Sequence, residues 1–364
     1  MNKRVLNIGV SGLNATDNPG PGVAVIRSIR ESGEFAGIIT GLAYSPLDPG
    51  AHMQGICDNV FLIPYPSQGA ENLLERIRVI HSIFPLDVVI PTLDSELGAY
   101  LKIGHELASM GIHTYLPDEE MFHLRSKSRF HRLRELGISV PKGKPVNDEA
   151  AVYDLEKEYK FPVMVKGQFY EAFVAHSPVE AASFFLRLRS KWGLPVVIQE
   201  FIQGTEYDVV ALGDGQGELV GAVPMKKMQL TDQGKAWGGI TIADEGMNEF
   251  VRSVMSRLKW RGPCEFEVMK AAHSGEYYLI EVNPRFPAWC YLATGAGQNL
   301  AWAVVRLALG ERVAPFSTYQ VGTFFLRHSV EQIYPLSQYR HLTTDGQLIR
   351  TGAEGKAKSG NGKA

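Results

Sequence analysis

The chain begins with short apolar runs separated by stretches whose apolar residues recur at helical spacing. "RVLNIGV" (4–10) is such a run, a Gly/Asn/Pro loop follows, and "VAVIRSIRES" (23–32) repeats apolar residues three and four apart. That spacing keeps side chains on one helix face, whereas a strand alternates faces residue by residue. The opening therefore reads strand, loop, helix. "FAGIITGLAY" (35–44), "NVFLIPY" (59–65) and "PLDVVIPTLD" (85–94) predict further buried strands. "ENLLERIRVIHSIF" (71–84) and "SELGAYLKIGHELASMG" (95–111) predict helices between them. Strands alternating with helices predict a doubly wound parallel sheet through about residue 118.

The rhythm then changes. "SKSRFHRLRELGISVPK" (126–142) predicts a helix ending at Gly137, with a strand starting before Pro141. "KFPVMVKGQF" (160–169) and "LPVVIQEFIQGTEYDVVALGD" (194–214) predict strands, the second bent at "QGTE". "GELVGAVPMKKMQL" (217–230) returns along it as a hairpin. "NEFVRSVMSRLKW" (248–260) is an amphipathic helix, "PCEFEVMKAAHSGEYYLIEVN" (263–283) a hairpin and "AGQNLAWAVVRLALGE" (296–311) a helix. Hairpins with segregated helices make this half α+β, so the fold class is α/β and α+β. The Gly/Lys/Ser-rich tail 352–364 predicts disorder.

Composition narrows the partners. The 364 residues are 45 % hydrophobic and 21 % charged, with net charge −2. No basic excess recommends a nucleic acid. Cys57, Cys264 and Cys290 are three and far apart, with no CxxC pair. That argues against zinc or a disulfide framework and predicts a reducing cytoplasm. The N-terminal apolar run is too short for a signal peptide, and no membrane-length apolar stretch occurs.

The chemistry concentrates in "YYLIEVNPRF". Glu281, Asn283 and Arg285 fall at alternate positions, so one strand face is polar while Ile280, Val282 and Pro284 face the other way. The hairpin turn falls near His273-Ser274-Gly275. With Ser274 at its centre, Glu267 faces Glu281 and Glu265 faces Asn283 on the same face. Opposed side chains on one sheet face have Cβ atoms about 5 Å apart, and like charges there are destabilising. Either a cation sits between the carboxylates or they splay into water. Hard oxygen ligands make Mg²⁺ the natural cation.

Lys166 closes the strand "FPVMVKG", and "VVIQEFIQGTEYDVV" carries a polar pair, a bend, then Glu206 and Asp208. Together with "EFEVM…YYLIEVNPRF", this order resembles the ATP-grasp superfamily, most closely its carbamoyl phosphate synthetase and biotin carboxylase branch. The resemblance spans roughly residues 4 to 312. "NIGVSG…GPGVAVIRSIRESG" and "VVIPTLDSE" resemble that branch's N-terminal domain. It implies an ATP-grasp fold: an N-terminal domain over 1–118, a first ATP-grasp subdomain over 119–195, a second with the nucleotide and metal site over 196–315, and a strand/helix extension over 316–351.

The resemblance also implies roles. Lys127 matches the first lysine that approaches the nucleotide phosphates, and Lys166 the second. Gln199, Glu200 and Ile202 match the segment that reads adenine, largely through backbone groups, and Glu206 the residue that takes the ribose hydroxyls. Glu267, Glu281 and Asn283 match the metal ligands. Arg285 matches the arginine that holds the acid substrate or the γ-phosphate region. The implied cofactors are ATP and Mg²⁺, with Mn²⁺ as an alternative.

One departure stands out. Relatives of this kind carry a glycine-rich loop after the Lys166 strand, but here "KGQFYEAFVAHSPVE" has only Gly167. The loop "MKKMQLTDQGKAWGGIT" (225–241) is the candidate replacement, with Lys226 and Lys227 as catalytic candidates and Lys235 beside them. Three further signals carry little. "MKKM" breaks the biotin-acceptor pattern, Ser109 replaces the second histidine of a zinc-protease helix, and "NPGPG" (18–22) reads as a structural loop. Trp289 and Tyr291 are as suited to core packing as to an acceptor pocket.

The expected activity is a cytoplasmic carboxylate–amine ligase working through an acyl phosphate, on small-molecule or peptide substrates. No nucleic acid or membrane partner is expected, and a homodimer is the candidate assembly. The alternatives are a bicarbonate-activating, carboxylase-like enzyme and a non-catalytic ATP-binding regulator.

Overall fold

The computed structural model of the protein describes residues 4–168, 171–231 and 234–350. The tail predicted to be disordered lies outside the described residues. Strands β1 (Arg4–Val10), β2 (Phe35–Ala43), β3 (Asn59–Leu62) and β4 (Val88–Ile90) run parallel in the order β3-β2-β1-β4. Ile8, Val10, Ile39 and Val60 bury one side against the helix Gly22–Arg30, through its Val25, Ile26 and Ile29. Phe61, Val89 and Leu42 bury the other against the helix Ala70–Ile83. This is the expected doubly wound sheet. The helix predicted over 95–111 is broken into Asp94–Lys102 and Gly104–Ser109. Buried Ile103 sits at the joint, beside a glycine that is a poor helix former.

The second half holds two antiparallel sheets. Strands β5 (Gly143–Val146), β6 (Val163–Lys166), β7 (Ala172–Ala175) and β8 (Val196–Glu200) form one, in the order β5-β8-β6-β7, covered by the helix Pro178–Trp192. Strands β9 (Gly204–Asp214), β10 (Leu219–Leu230), β11 (Ala236–Thr241), β12 (Arg261–Ala271), β13 (Tyr277–Asn283) and β14 (Phe324–Leu326) form the other, in the order β13-β12-β9-β10-β11-β14. The helix Glu245–Leu258 packs Met247, Val251 and Val254 on one face of this sheet. The opposite face merges with the N-terminal core around Trp289 and the helix Leu300–Ala308. The last strand among the described residues, β15 (Gln347–Ile349), returns to the N-terminal sheet, antiparallel to β3.

Three expectations shift. The strand predicted over 194–214 divides between the two sheets at residues 201–203, because β8 pairs with β5 and β6 while β9 pairs with β10 and β12. A boundary at 195/196 would cut β8 from its own sheet. The helix predicted from residue 126 is a 3₁₀ helix over Phe130–Leu136, capped by Gly137 at φ 73°, and the next strand begins after Pro141, at Gly143. Ser126 and Ser128 lie in the turn before it, a setting that serine favours over helix interiors. After Lys166, Gly167 N–H donates to the Glu171 carbonyl at 3.0 Å next to the β6–β7 pairing, and residues 169–170 of the predicted phosphate-loop segment lie outside the described residues.

Candidate active site

The β12–β13 ribbon has the register that the sequence predicts at its functional end. Glu267 faces Glu281, and Glu265 faces Asn283. The reason is subtler than a turn centred on Ser274. Nearer the turn the pairs are Lys270↔Tyr277 and Val268↔Leu279, and a bulge between Glu267 and Val268 takes up one residue at Ile280. That bulge brings the carboxylates opposite each other. It also turns Leu279, which strict alternation would place on Glu281's face, into the core beside Val282.

On the other side of β12, Glu267 pairs with Asp208 of β9. Asp208, Glu267 and Glu281 therefore form a line across three adjacent strands. Burial pushes the Glu267 carboxyl well above the usual range, and Glu281 and Asp208 push it further. Burial and Glu265 push Asp208 up to about 8, against the pull of Lys227. Among the described residues, Glu267 receives one long bond, from Asn283 Nδ2 at 3.4 Å, and the Asp208 Oδ1 atom is buried without a hydrogen-bond partner. Desolvated carboxylates with so few donors call for a cation.

Cations stand on both sides of that line. Lys127 Nζ is 3.7 Å from Glu281 Oε2. Lys166, ending β6 in the other sheet, has its charge disfavoured by burial and by Lys127 while Glu281 favours it. Among the described residues it makes no ion pair. Lys227 Nζ lies 2.7 Å from Glu206 Oε1 and 3.2 Å from Asp208 Oδ2. Burial opposes its charge, but Asp208 and Glu206 outweigh it, so Lys227 stays protonated. Arg285 is likewise held charged because Asp94 and Glu265 outweigh its burial. Its Nε donates to Asp94 Oδ2 at 2.7 Å and its Nη1 to Glu265 Oε2 at 3.2 Å.

Glu265 differs from its neighbours. It accepts from Trp289 Nε1 at 2.7 Å and Asn283 Nδ2 at 3.3 Å as well as from Arg285. It is a saturated anchor. Trp289 is thus core and anchor together, while Tyr291 donates to Glu31 away from the ribbon.

The junction between the sheets holds the remaining predicted residues. Gln199 is buried on β8, and the exposed Glu200 exchanges bonds with Lys142, its N–H donating to the Lys142 carbonyl at 2.7 Å. Ile202 lies in the connection to β9. Lys226 departs from the expectation. Strand alternation turns it outward, exposed, on the face opposite Lys227. The rest of the loop candidate forms the β10–β11 hairpin, whose tip residues 232–233 lie outside the described residues.

Two further groups, Asp94 and Arg327, carry no role in the sequence pattern, and Lys235 is a loop candidate there. Asp94 follows β4 and meets Arg285. Lys235 is disfavoured as a cation by burial and by Arg285, while Glu265 and Asp94 favour it. Arg327, just after β14, stacks over Phe325 at 5.6 Å, and its Nε is buried without a hydrogen-bond partner. The signals were a polar residue at the carboxyl end of a parallel strand and an arginine closing "FFLR".

Glu267, Glu281 and Asn283 offer two carboxylates and an amide. Among the described residues, no group of three or more His, Cys, Asp or Glu could hold a metal alone. Mg²⁺ takes one or two carboxylates and fills its sphere with water and phosphate oxygens. The opposed, donor-poor carboxylates fit that ion.

Residues 194–325 match the family model described as ATP-grasp in the biosynthetic pathway with Ter operon. The carbamoyl phosphate synthase large chain of Clostridium beijerinckii is 24% identical over 276 residues, 71% of this chain and 24% of that protein. This chain thus spans about a quarter of that relative's length. The biotin carboxylase of Campylobacter jejuni, solved as a β-γ-ATP complex, superposes with TM-score 0.68 at 17% identity, covering 88% of this chain and 74% of that one. The L-amino acid ligase of Bacillus licheniformis superposes with TM-score 0.62 at 19% identity, covering 84% and 75%. The chain carries an ATP-grasp domain, on an ATP-grasp fold. Within the superfamily it is similar to the carbamoyl phosphate synthase chains in sequence and to biotin carboxylase in structure.

Proposed function

We propose that the protein is an ATP- and Mg²⁺-dependent ligase that activates a carboxylate as an acyl phosphate for attack by an amine. The products are an amide or peptide bond, ADP and phosphate. The observation that carries the reading is the line Asp208–Glu267–Glu281 with Lys127 and Lys166 beside it. Glu267, Glu281 and Asn283 would hold Mg²⁺, which supplies charge neutralisation at phosphate oxygens when bound. Lys166 is a cation made costly by burial, and a nucleotide phosphate would pair it. Lys127 meets the same phosphates. Gln199, Glu200 and Ile202 border the adenine between the two sheets, and Glu206 takes the ribose hydroxyls, parting from Lys227. Arg285 holds the oxygens of the carboxylate under attack with its forked donors. Phosphoryl transfer of this kind is positioning and charge neutralisation, which are what these residues supply.

An amine acceptor is favoured by the likeness to an L-amino acid ligase. The likeness to biotin carboxylase supports a second reading, with bicarbonate as the activated acid. A cytoplasmic setting fits three buried free thiols, and among the described residues no helix is long and apolar enough to cross a membrane.

The test is phosphate release from Mg-ATP across pooled carboxylates and amines, with bicarbonate in a parallel arm. Phosphate and ADP should appear only with one acid plus one amine. Glu281→Ala should lose that turnover about 10²- to 10³-fold. AMP and pyrophosphate as products would sink the acyl-phosphate reading.

A further inference from the structure

Asp94 belongs to the N-terminal domain, yet its carboxylate is spent on the catalytic ribbon. It opens the helix Asp94–Lys102 just past β4. There β1 has β4 on one side and β2 on the other, the switch point at which open parallel sheets bind ligands. From this edge Asp94 Oδ2 accepts from Arg285 Nε at 2.7 Å, and Oδ1 lies 3.6 Å from Arg125 Nη1. Arg125 stands two residues before Lys127, on the segment that reaches Glu281. One carboxylate therefore ties the N-terminal sheet to the ribbon and to the phosphate-side lysine segment.

The pattern of bonds on Arg285 gives the tie its meaning. A guanidinium is planar, so fixing Nε and one Nη fixes the whole fork. Asp94 takes Nε. Glu265 and the Phe286 carbonyl, at 3.2 Å each, take Nη1. Among the described residues Nη2 has no partner. We propose that Asp94 is a positioning residue, which locks the Arg285 guanidinium so that Nη2 is aimed at a tetrahedral or carboxylate oxyanion in the active site. The proposal rests on the reading that Arg285 meets the reacting oxygens.

Charge alone predicts the opposite of positioning. A carboxylate beside an anion site repels the anion, so its removal should tighten anion binding. A carboxylate that aims a guanidinium helps the anion, so its removal should weaken binding. The sign of one measured change therefore separates the two roles.

The probe is inorganic phosphate, titrated calorimetrically into wild type, Asp94→Asn, Arg285→Lys and the double variant, each with and without saturating Mg-ADP. Asp94→Asn should weaken phosphate about tenfold, the loss expected for a charge-assisted bond. Arg285→Lys should weaken it similarly, and the double variant should bind no worse than Arg285→Lys. Mg-ADP affinity should stay within about twofold throughout, which also reports an intact fold. Asp94→Glu keeps the charge but moves it by one methylene, and it should lose affinity as well. Unchanged or tighter phosphate binding in Asp94→Asn overturns the proposal, as do multiplicative losses in the double variant or a wild type that binds no phosphate. A protein that shows the expected phosphate pattern but turns over no acid–amine pair would defeat the ligase reading and leave the positioning role standing.

Discussion

Two buried carboxylates in this molecule have opposite surroundings. Glu96, in the N-terminal domain, is fully buried and accepts from the Ser11 and Tyr44 hydroxyls and from the Thr92 and Leu93 N–H groups, the last two at 2.7 and 2.8 Å. Glu267, on the β12–β13 ribbon, has among the described residues one long bond, from Asn283, and faces two further carboxylates. Burial raises both carboxyls above their ordinary range. At Glu96 four donors pull back against burial, whereas at Glu267 the neighbouring charges add to it. A buried charge whose partners are all in place belongs to the architecture. One whose partners are missing is set for something that arrives.

Mutation should pull the two apart. The largest effect is expected at Glu96. Glu96→Ala strands several buried donors at once and should cost about 3–5 kcal/mol. Calorimetry should show the melting temperature falling by roughly 10 °C, with Mg-ATP affinity retained in the protein that stays folded. If the loss is small, Glu96 is not the anchor that its bonds describe.

Glu267→Gln should go the other way. The folded, metal-free protein keeps the Glu267 proton to higher pH than the unfolded chain does, so the folded state binds more protons. Stability therefore falls as pH rises above the ordinary carboxylate range, and Asp208 adds a slope of the same sign between 3.8 and about 8. Removing the Glu267 charge should raise metal-free stability at pH 8 by about 1–2 kcal/mol and change it little at pH 5. Added Mg²⁺ should then stabilise wild type but not the variant. A variant destabilised at pH 8 would show Glu267 to be a satisfied structural group like Glu96.

The smallest effect is expected at Lys226. Lys226→Ala should leave Mg-ATP affinity and turnover within about twofold, since the side chain points away from the carboxylate line. A large loss would mean that the β10–β11 hairpin turns over during the reaction cycle.

Much of this was legible before the fold was in view. The parallel first domain follows from apolar runs alternating with helical spacing. The Glu267–Glu281 pairing follows from strand parity and one polar turn. Its success depended on the Ile280 bulge, a half-register correction that no parity argument contains. The sequence could not show that residues 194–214 serve two sheets, because an apolar strand reads the same whichever neighbours it pairs with. Lys226 and Lys227 are equivalent in composition, and only the register of β10 against β9 decides which one faces Asp208. Asp94 and Arg327 lay hidden because a single charge at the end of an element points nowhere until the domains meet, whereas Arg125 and Arg129, beside Lys127, already stand out in the sequence as competitors for its role.

The return of the chain to its starting sheet has a mechanical consequence. β14 edges the six-stranded sheet, and β15 then zips onto β3, where Arg350 donates to the carbonyls of Cys57 and Ala51 at 3.1 and 2.8 Å. The second half is thus tied to the N-terminal half at both of its ends, through residues 110–118 and again through 327–346. Between those two ends the halves share one apolar core, in which Val210, Leu212 and Met225 pack in one cluster with Ile8, Val10 and Ile39, so the returning strand staples a seam that is already glued along its length.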